Sequence, residues 1–119
     1  MSNELPAADR NLALVIGTAT ADSSDRELPD GTVVRSFDVV APGLDGSRST
    51  VPVAWHEPPT NRAPVRSGAR IAVLGHVRRR FFRVGGATNS RTEVVASLVA
   101  PDTSTGRARV RRALERSLE

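Results

Sequence analysis

The sequence predicts an all-β protein, a barrel or a sandwich of five strands. Segments rich in β-branched and apolar residues recur along the chain, and turns containing glycine and proline separate them. Apolar and polar residues alternate within these segments, which is typical of strands with one buried face. A helical pattern is found only after Pro101, so helix is a minor part of the predicted fold. A chain of 119 residues is long enough for one such domain.

Three strands are predicted in the first half of the chain, at residues 11–20, 33–41 and 50–55. The first strand, NLALVIGTAT, contains Gly17, which indicates a bulge or a sharp bend. Residues 28–31, with the sequence LPDG, have strong turn chemistry and lead into the second strand. Residues 1–10 are expected to form a flexible polar leader.

The alternation within the second and third strands bears on two aromatic residues. Phe37 is in phase with Val39 and is expected in the core. Trp55 lies on the same strand face as Val53, and these residues alone leave a core position and a surface position equally open. Pro52 indicates that the third strand is an edge or is distorted.

The fourth predicted strand is the longest. Three prolines within residues 57–67 limit any helix there to a turn or two. This strand begins at Gly68, and residues on its two faces alternate along it. It continues into the string HVRRRFFR at residues 76–83, and the chain then turns at Gly85-Gly86. The fifth strand is predicted at residues 92–99, because Pro101 stops it.

Residues 102–119 form a basic segment that has two interpretations. On a helix, Val110, Leu114 and Leu118 would form an apolar stripe, with the N-cap at residues 104–105. A helix of this length is marginal alone, so the stripe predicts docking on the barrel, on another subunit or on DNA. The alternative is a disordered basic tail.

Positive charge is concentrated in one third of the chain. Residues 58–92 contain eight arginines and no acidic residue, whereas residues 1–57 have a net charge of −5. The arginines surround Phe81 and Phe82, and a single-stranded nucleic acid requires charge for its phosphates and aromatic rings for its unstacked bases. The alternative is a solvated arginine-rich hairpin. Two adjacent phenylalanines argue against it, because exposing both rings to water is costly.

Several classes of function are not expected. The chain has no cysteine, which excludes disulfides, thiolate metal sites and a cysteine nucleophile. Neither His56 nor His76 has further ligands at a metal-binding spacing, and no catalytic motif is present, so we expect a non-enzyme without a metal or cofactor. No apolar run reaches the roughly 20 residues that span a bilayer, and no signal peptide is evident. We therefore expect a cytoplasmic location without membrane association.

Four segments, in this order, resemble the bacterial single-stranded DNA-binding protein family. They are NLALVIG at residues 11–17, LPDGT at 28–32, SGARIAVLGHV at 67–77 and TEVVA at 92–96. The resemblance covers residues 11–101 and implies an OB-fold, which is a five-stranded barrel. It further implies sequence-independent binding and protection of single-stranded DNA in replication, recombination or repair. Members of the family are usually homotetramers, and a dimer is the alternative.

The resemblance also implies residues of the binding surface. Trp55 and Phe82 fall at aromatic positions of the family on which bases stack. Phe81 lies on the opposite strand face from Phe82 and is expected at the binding surface or at a subunit contact. Arginines on the strands and beside the hairpin turn are the candidate phosphate contacts: Arg35, Arg78, Arg80, Arg83 and Arg91. For Arg35, a solvated arginine is the alternative.

Two features differ from the family. Positions at which the family offers further aromatic residues hold Ser49 and Thr50 here. The acidic tip with a phenylalanine, through which the family recruits repair proteins, has no counterpart in this sequence, so that route of recruitment is not expected. Two other functions remain as alternatives, a PriB-like primosomal adaptor, which would be a dimer, and an RNA-binding OB module.

Overall fold

A computed structural model describes residues 4–119, which contain six strands and one helix joined by loops. The first three residues of the predicted leader lie outside the described residues. The elements are β1 (Ala13–Ala19), β2 (Ser24–Glu27), β3 (Val33–Pro42), β4 (Arg48–His56), β5 (Arg70–Val84), β6 (Ala87–Pro101) and α1 (Ser104–Ser117).

Five of the strands close into a barrel. Their order is β1-β5-β6-β4-β3, and the last two residues of β1 pair with β3 to complete the ring. The pairs are antiparallel except for β4 and β6, which run parallel where Val53 lies opposite Val94. The predicted all-β class is therefore confirmed, and the closed five-stranded barrel with one short C-terminal helix is consistent with an OB-fold.

The interior of the barrel is filled by apolar side chains from every strand of the ring. They alternate with outward-facing residues, as the pleat of a strand requires. The largest of them are Phe37, Val39, Val53, Trp55, Ile71, Val73, Val94 and Val99. The prediction that Phe37 lies in the core is confirmed, since its side chain is buried.

Gly17 permits two strands of the barrel to cross closely. A Cβ atom added to Gly17 would collide with the carbonyl oxygen of Val40 on β3, at the point where the barrel closes. β1 passes through Gly17 in regular register with β5, so of the predicted bulge or sharp bend the bulge is wrong, and the bend stays a prediction. The bulge lies on β6 instead, where Ser97 is the extra residue opposite Leu74 and Gly75.

Two strand boundaries differ from the prediction. The short strand β2 lies within a segment predicted to be a polar loop, and all four of its residues are exposed. It forms by pairing with the edge of β3, a tertiary contact that its own sequence does not indicate. β6 begins at Ala87 rather than at Thr92, because its polar first residues pair with the end of β5.

The helical interpretation of the C-terminal segment is confirmed. α1 packs on β5 and β6, with Val110 buried against Ala72, Leu74 and Ala100 on the outside of the barrel. Its N-cap is Thr103 rather than residues 104–105, because the Thr103 hydroxyl accepts a hydrogen bond of 3.1 Å from the Gly106 amide. Within residues 4–119 no helix has the length and apolarity needed to cross a membrane.

The end of the predicted leader is attached to this helix. The guanidinium of Arg10 donates hydrogen bonds to the carbonyl oxygens of Ser117 and Glu119, at 3.3 and 3.1 Å. These carbonyls lie at the C-terminal end of α1, where a cation is favoured by the partial negative charge of the helix terminus. Asn11 extends the sheet beyond β1, since its side-chain amide exchanges two hydrogen bonds with the backbone of Val77.

Candidate nucleic-acid interface

A two-stranded arm, residues 78–93, extends beyond the barrel. Its residues pair only across the β5–β6 hairpin, because the pairing of β5 with β1 ends at Gly75 and that of β6 with β4 ends at Val94. The hairpin turns at Gly85 and Gly86, whose φ angles are 57° and 82°. Positive φ at both positions of a two-residue loop matches the right-handed twist of the strands, and glycine adopts it without strain.

The arm has two faces, because residues directly opposite in an antiparallel pair point to the same side. The outer face continues the surface of β5 on which α1 lies, and its residues include Arg78, Arg80 and Phe82 of β5 and Arg91 and Glu93 of β6. The inner face continues the core side of β5. Its residues include Arg79, Phe81 and Arg83.

The outer face is organised around Glu93, which the sequence analysis did not identify. Its side chain is only 6% exposed and binds two arginines, Arg78 at 2.8 Å and Arg80 at 3.3 Å. The guanidinium of Arg80 also lies over the Phe82 ring, 5.2 Å from its centroid. Glu93 therefore fixes a planar cation against a half-buried aromatic ring, and both groups can stack on bases.

Opposing effects set the pKa of Glu93. Burial acts to raise it, but the hydrogen bond from Arg78 and the charges of Arg78 and Arg80 outweigh burial and hold the pKa below its usual value. A carboxylate whose pKa is lowered in the folded state stabilises the fold at pH values above its ordinary pKa. This stabilisation is lost as the pH falls through the lowered value.

We expect Glu93→Gln to lower the free energy of unfolding by about 1–3 kcal/mol at pH 7, because it leaves two partly buried guanidinium groups without their carboxylate. At pH 3, below the ordinary pKa of a glutamate, the difference from the unaltered protein should be smaller, because the unfolded chain then binds a proton at Glu93 that the folded chain, with its lowered pKa, binds less readily. Urea denaturation of the variant and the unaltered protein measures the difference in the free energy of unfolding at pH 7 and at pH 3. Glu115→Gln is the control, since it removes an exposed pair with Arg111 whose contribution is about 0.5 kcal/mol or less. A difference that is the same at both pH values would show that the Glu93 carboxylate charge is not the cause.

The inner face of the arm carries exposed charge without acidic partners. Phe81 is 65% exposed, and the guanidinium of Arg79 lies 5.6 Å from its ring centroid. Arg79 donates a hydrogen bond to the Ser90 hydroxyl, and Arg83 donates one to the carbonyl oxygen of Gly86. Within residues 4–119 neither arginine forms an ion pair.

The structure corrects the expectation that bases stack on Trp55. Its side chain is 6% exposed and belongs to the barrel core, together with Phe37 and Val53. Trp55 lies opposite Arg35 in the β3–β4 pair, so both side chains point to the inside of the barrel. The sequence showed that Trp55 and Val53 share a strand face, and the structure shows that this face is the core face.

Arg35 is likewise placed inside rather than on the binding surface. It is 7% exposed, and its Nε and one terminal nitrogen bind the two carboxylate oxygens of Asp25 at 2.9 and 3.1 Å. Its other terminal nitrogen donates to the carbonyl oxygen of Ala63 at 3.1 Å, and its guanidinium lies 6.0 Å from the Trp55 ring centroid. The hydrogen bond from Arg35 holds the pKa of Asp25 below its usual value. With its donors occupied, Arg35 is a structural residue and the predicted phosphate contact is wrong.

The outer surface of β3 and β4 adjoins the outer face of the arm. In OB-folds the second and third barrel strands, which are β3 and β4 here, commonly carry the nucleic-acid path together with the neighbouring loops. Several outward residues here are small or polar, among them Ser36, Thr50 and Pro52. Asp38 on this surface binds Arg91 at 3.4 Å and so joins the barrel surface to the arm.

The eight predicted site residues thus fall into three groups. The outer face brings together Arg78, Arg80, Phe82 and Arg91, the inner face holds Phe81 and Arg83, and the interior holds Trp55 and Arg35. Glu93 was missed although it ends the acid-free stretch, because only the register of the hairpin shows that it lies opposite Arg78. No group of side chains among the described residues is suited to hold a metal ion.

No family model matches the chain, and no curated protein matches it either. The class of protein that the geometry defines is an OB-like barrel with an arginine- and phenylalanine-bearing arm.

Proposed function

We propose that the protein binds single-stranded DNA without sequence preference, along the outer surface of β3, β4 and the arm. The observation that carries the proposal is the outer face itself, where Arg80 is held over the Phe82 ring by Glu93. A fixed ring and a fixed guanidinium suit unstacked bases of any sequence, and the neighbouring arginines suit phosphates. Protection of single strands in replication, recombination or repair is the role that such binding serves.

Self-association is part of the same proposal. Residues 13–16 of β1 pair with β5 along one edge, and no strand within residues 4–119 pairs with their other edge. Leu14 and Ile16 beside this edge are 47% and 37% exposed. An open apolar strand edge favours pairing with another chain, so light scattering should give a mass of two or four chains of 12.7 kDa. A monomeric mass at micromolar concentration would contradict this part.

The salt dependence of binding to oligo-dT tests the proposed interface. If roughly five phosphates are engaged, the logarithm of the association constant should fall with a slope of about −3.5 against the logarithm of the salt concentration. Fluorescence anisotropy of a labelled oligo-dT across a range of NaCl concentrations gives the slope. Absence of binding even at low salt would contradict the proposal.

A further inference from the structure

The arginines of α1 lie on two different sides of the helix. An apolar groove separates α1 from β1, and it is lined by Leu14 and Ile16 of β1 and by Arg107 and Arg111 of α1. Arg107 and Arg111 therefore lie on the β1 side. A helix turns through about 100° per residue, which places three other arginines on the opposite side of the buried Val110: Arg109, Arg112 and Arg116.

The arginines on the two sides of α1 also differ in whether they form ion pairs. Arg107 binds Asp102 at 2.9 Å, and Arg111 binds Glu115 at 3.0 Å. The arginine row, which is Arg109, Arg112 and Arg116, forms no ion pair with any residue in the described range 4–119. Its three positive charges are therefore free to bind a partner.

The position of the row follows from the order of the strands. α1 packs on β5 and β6, and the sheet continues from β6 to β4 and β3 on the side away from β1. The arginine row consequently borders the outer surface of β6 and β4. That surface continues into the outer face of the arm, because α1 and Arg78 lie on the same side of β5.

The arm alone provides little net charge on this side. Its outer face has three arginines, but Glu93 binds Arg78 and Arg80, and Asp38 binds Arg91. A polyanion that crosses the outer surface therefore meets paired arginines at the arm and unpaired arginines at α1. Phosphate binding with counterion release depends on positive charge that no internal carboxylate already neutralises.

We propose that the arginine row of α1 is a second phosphate-binding surface, so that a single strand bound along the outer surface of β3, β4 and the arm also contacts α1 on its side that faces β4. This inference rests on the proposed function. The Cα atoms of Arg109 and Arg116 lie about 10 Å apart along the helix axis, so the row contacts a short length of backbone. The bases remain on the arm side, where Phe82 lies.

Two double variants with the same loss of charge test the inference. Arg109→Gln/Arg116→Gln removes two charges from the row, and Arg107→Gln/Arg111→Gln removes two charges from the β1 side. Glutamine keeps the helix propensity close to that of arginine, and circular dichroism and thermal unfolding check that both variants fold. Arg109→Lys/Arg116→Lys retains the charge of the row.

The measured quantity is the salt slope of oligo-dT binding. The row variant should have a slope less steep by about 1.4, because two phosphate contacts are lost, whereas the β1-side variant and the lysine variant should keep the slope of the unaltered protein. Equal slopes in the row variant and the unaltered protein would overturn the inference and leave the proposed function standing. Equal changes in both glutamine variants would also overturn it, since net charge would then explain the effect. If the unaltered protein does not bind oligo-dT, the proposed function fails and the inference fails with it.

Discussion

Replacing Trp55 with alanine is expected to lower the free energy of unfolding by about 3–5 kcal/mol. The Trp55 side chain is buried among Phe37, Val53 and other core residues, so its removal leaves a cavity in the barrel. It also removes the ring on which the Arg35 guanidinium lies, while Arg35 stays buried. Urea denaturation followed by circular dichroism measures the loss, since the variant has no tryptophan fluorescence.

Trp55→Phe is the matched control for this prediction. It keeps an aromatic ring in the core and should cost clearly less stability than alanine, because the cavity it leaves is smaller. The fluorescence of Trp55 in the unaltered protein should change little when oligo-dT is added, since the ring is not accessible to bases. A Trp55→Ala protein that is as stable as the unaltered chain but binds oligo-dT poorly would contradict the core position and show that Trp55 contacts DNA.

Phe82→Ala is expected to weaken oligo-dT binding by about 1–3 kcal/mol, which is the range for one stacked base. The ring lies on the outer face of the arm, and the Arg80 guanidinium lies over it. Its loss therefore removes an aromatic surface on which a base can stack and a contact that holds Arg80 in place. Isothermal titration with oligo-dT at fixed salt measures the change. Phe82→Leu should lose nearly as much affinity, because leucine restores apolar contact but no aromatic face.

The adjacent Phe81 provides a control within the same arm. It lies on the inner face, so Phe81→Ala should retain oligo-dT affinity within about 0.5 kcal/mol although its ring is far more exposed. The two variants remove the same side chain at neighbouring positions on opposite faces. If Phe81→Ala loses more affinity than Phe82→Ala, the nucleic acid follows the inner face and the proposed path is wrong.

The barrel could be predicted from the sequence because its signals are local. The alternation around Phe37, the glycines of the hairpin and the prolines of residues 57–67 each act through the backbone of the segment that contains them. The strand β2 could not be predicted, because its four polar residues become a strand only by pairing with β3. The bulge at Ser97 likewise depends on how β6 meets β5.

The candidate site was predictable only in part, for a related reason. Alternation showed that Phe81 and Phe82 lie on opposite faces, but it does not say which side of a strand is the core. Trp55 was assigned to the binding surface by the family resemblance, because its own strand left both faces open. Arg35 is in phase with Phe37, but the carboxylate of Asp25 that neutralises it in the interior is supplied by the unpredicted β2. Whether an arginine forms an ion pair depends on the residue opposite it on the neighbouring strand. The sequence of a single strand does not show which residue that is.

Competition at one salt concentration tests the central claim most directly. A labelled oligo-dT is bound to the protein, and unlabelled oligo-dT, single-stranded RNA of matched length and duplex DNA are added as competitors. We predict that oligo-dT displaces the label at a concentration at least about tenfold lower than the duplex, which corresponds to the free energy of one stacked base. A duplex that competes as well as oligo-dT would contradict single-strand binding, and RNA that competes better would assign the arm to an RNA-binding OB module.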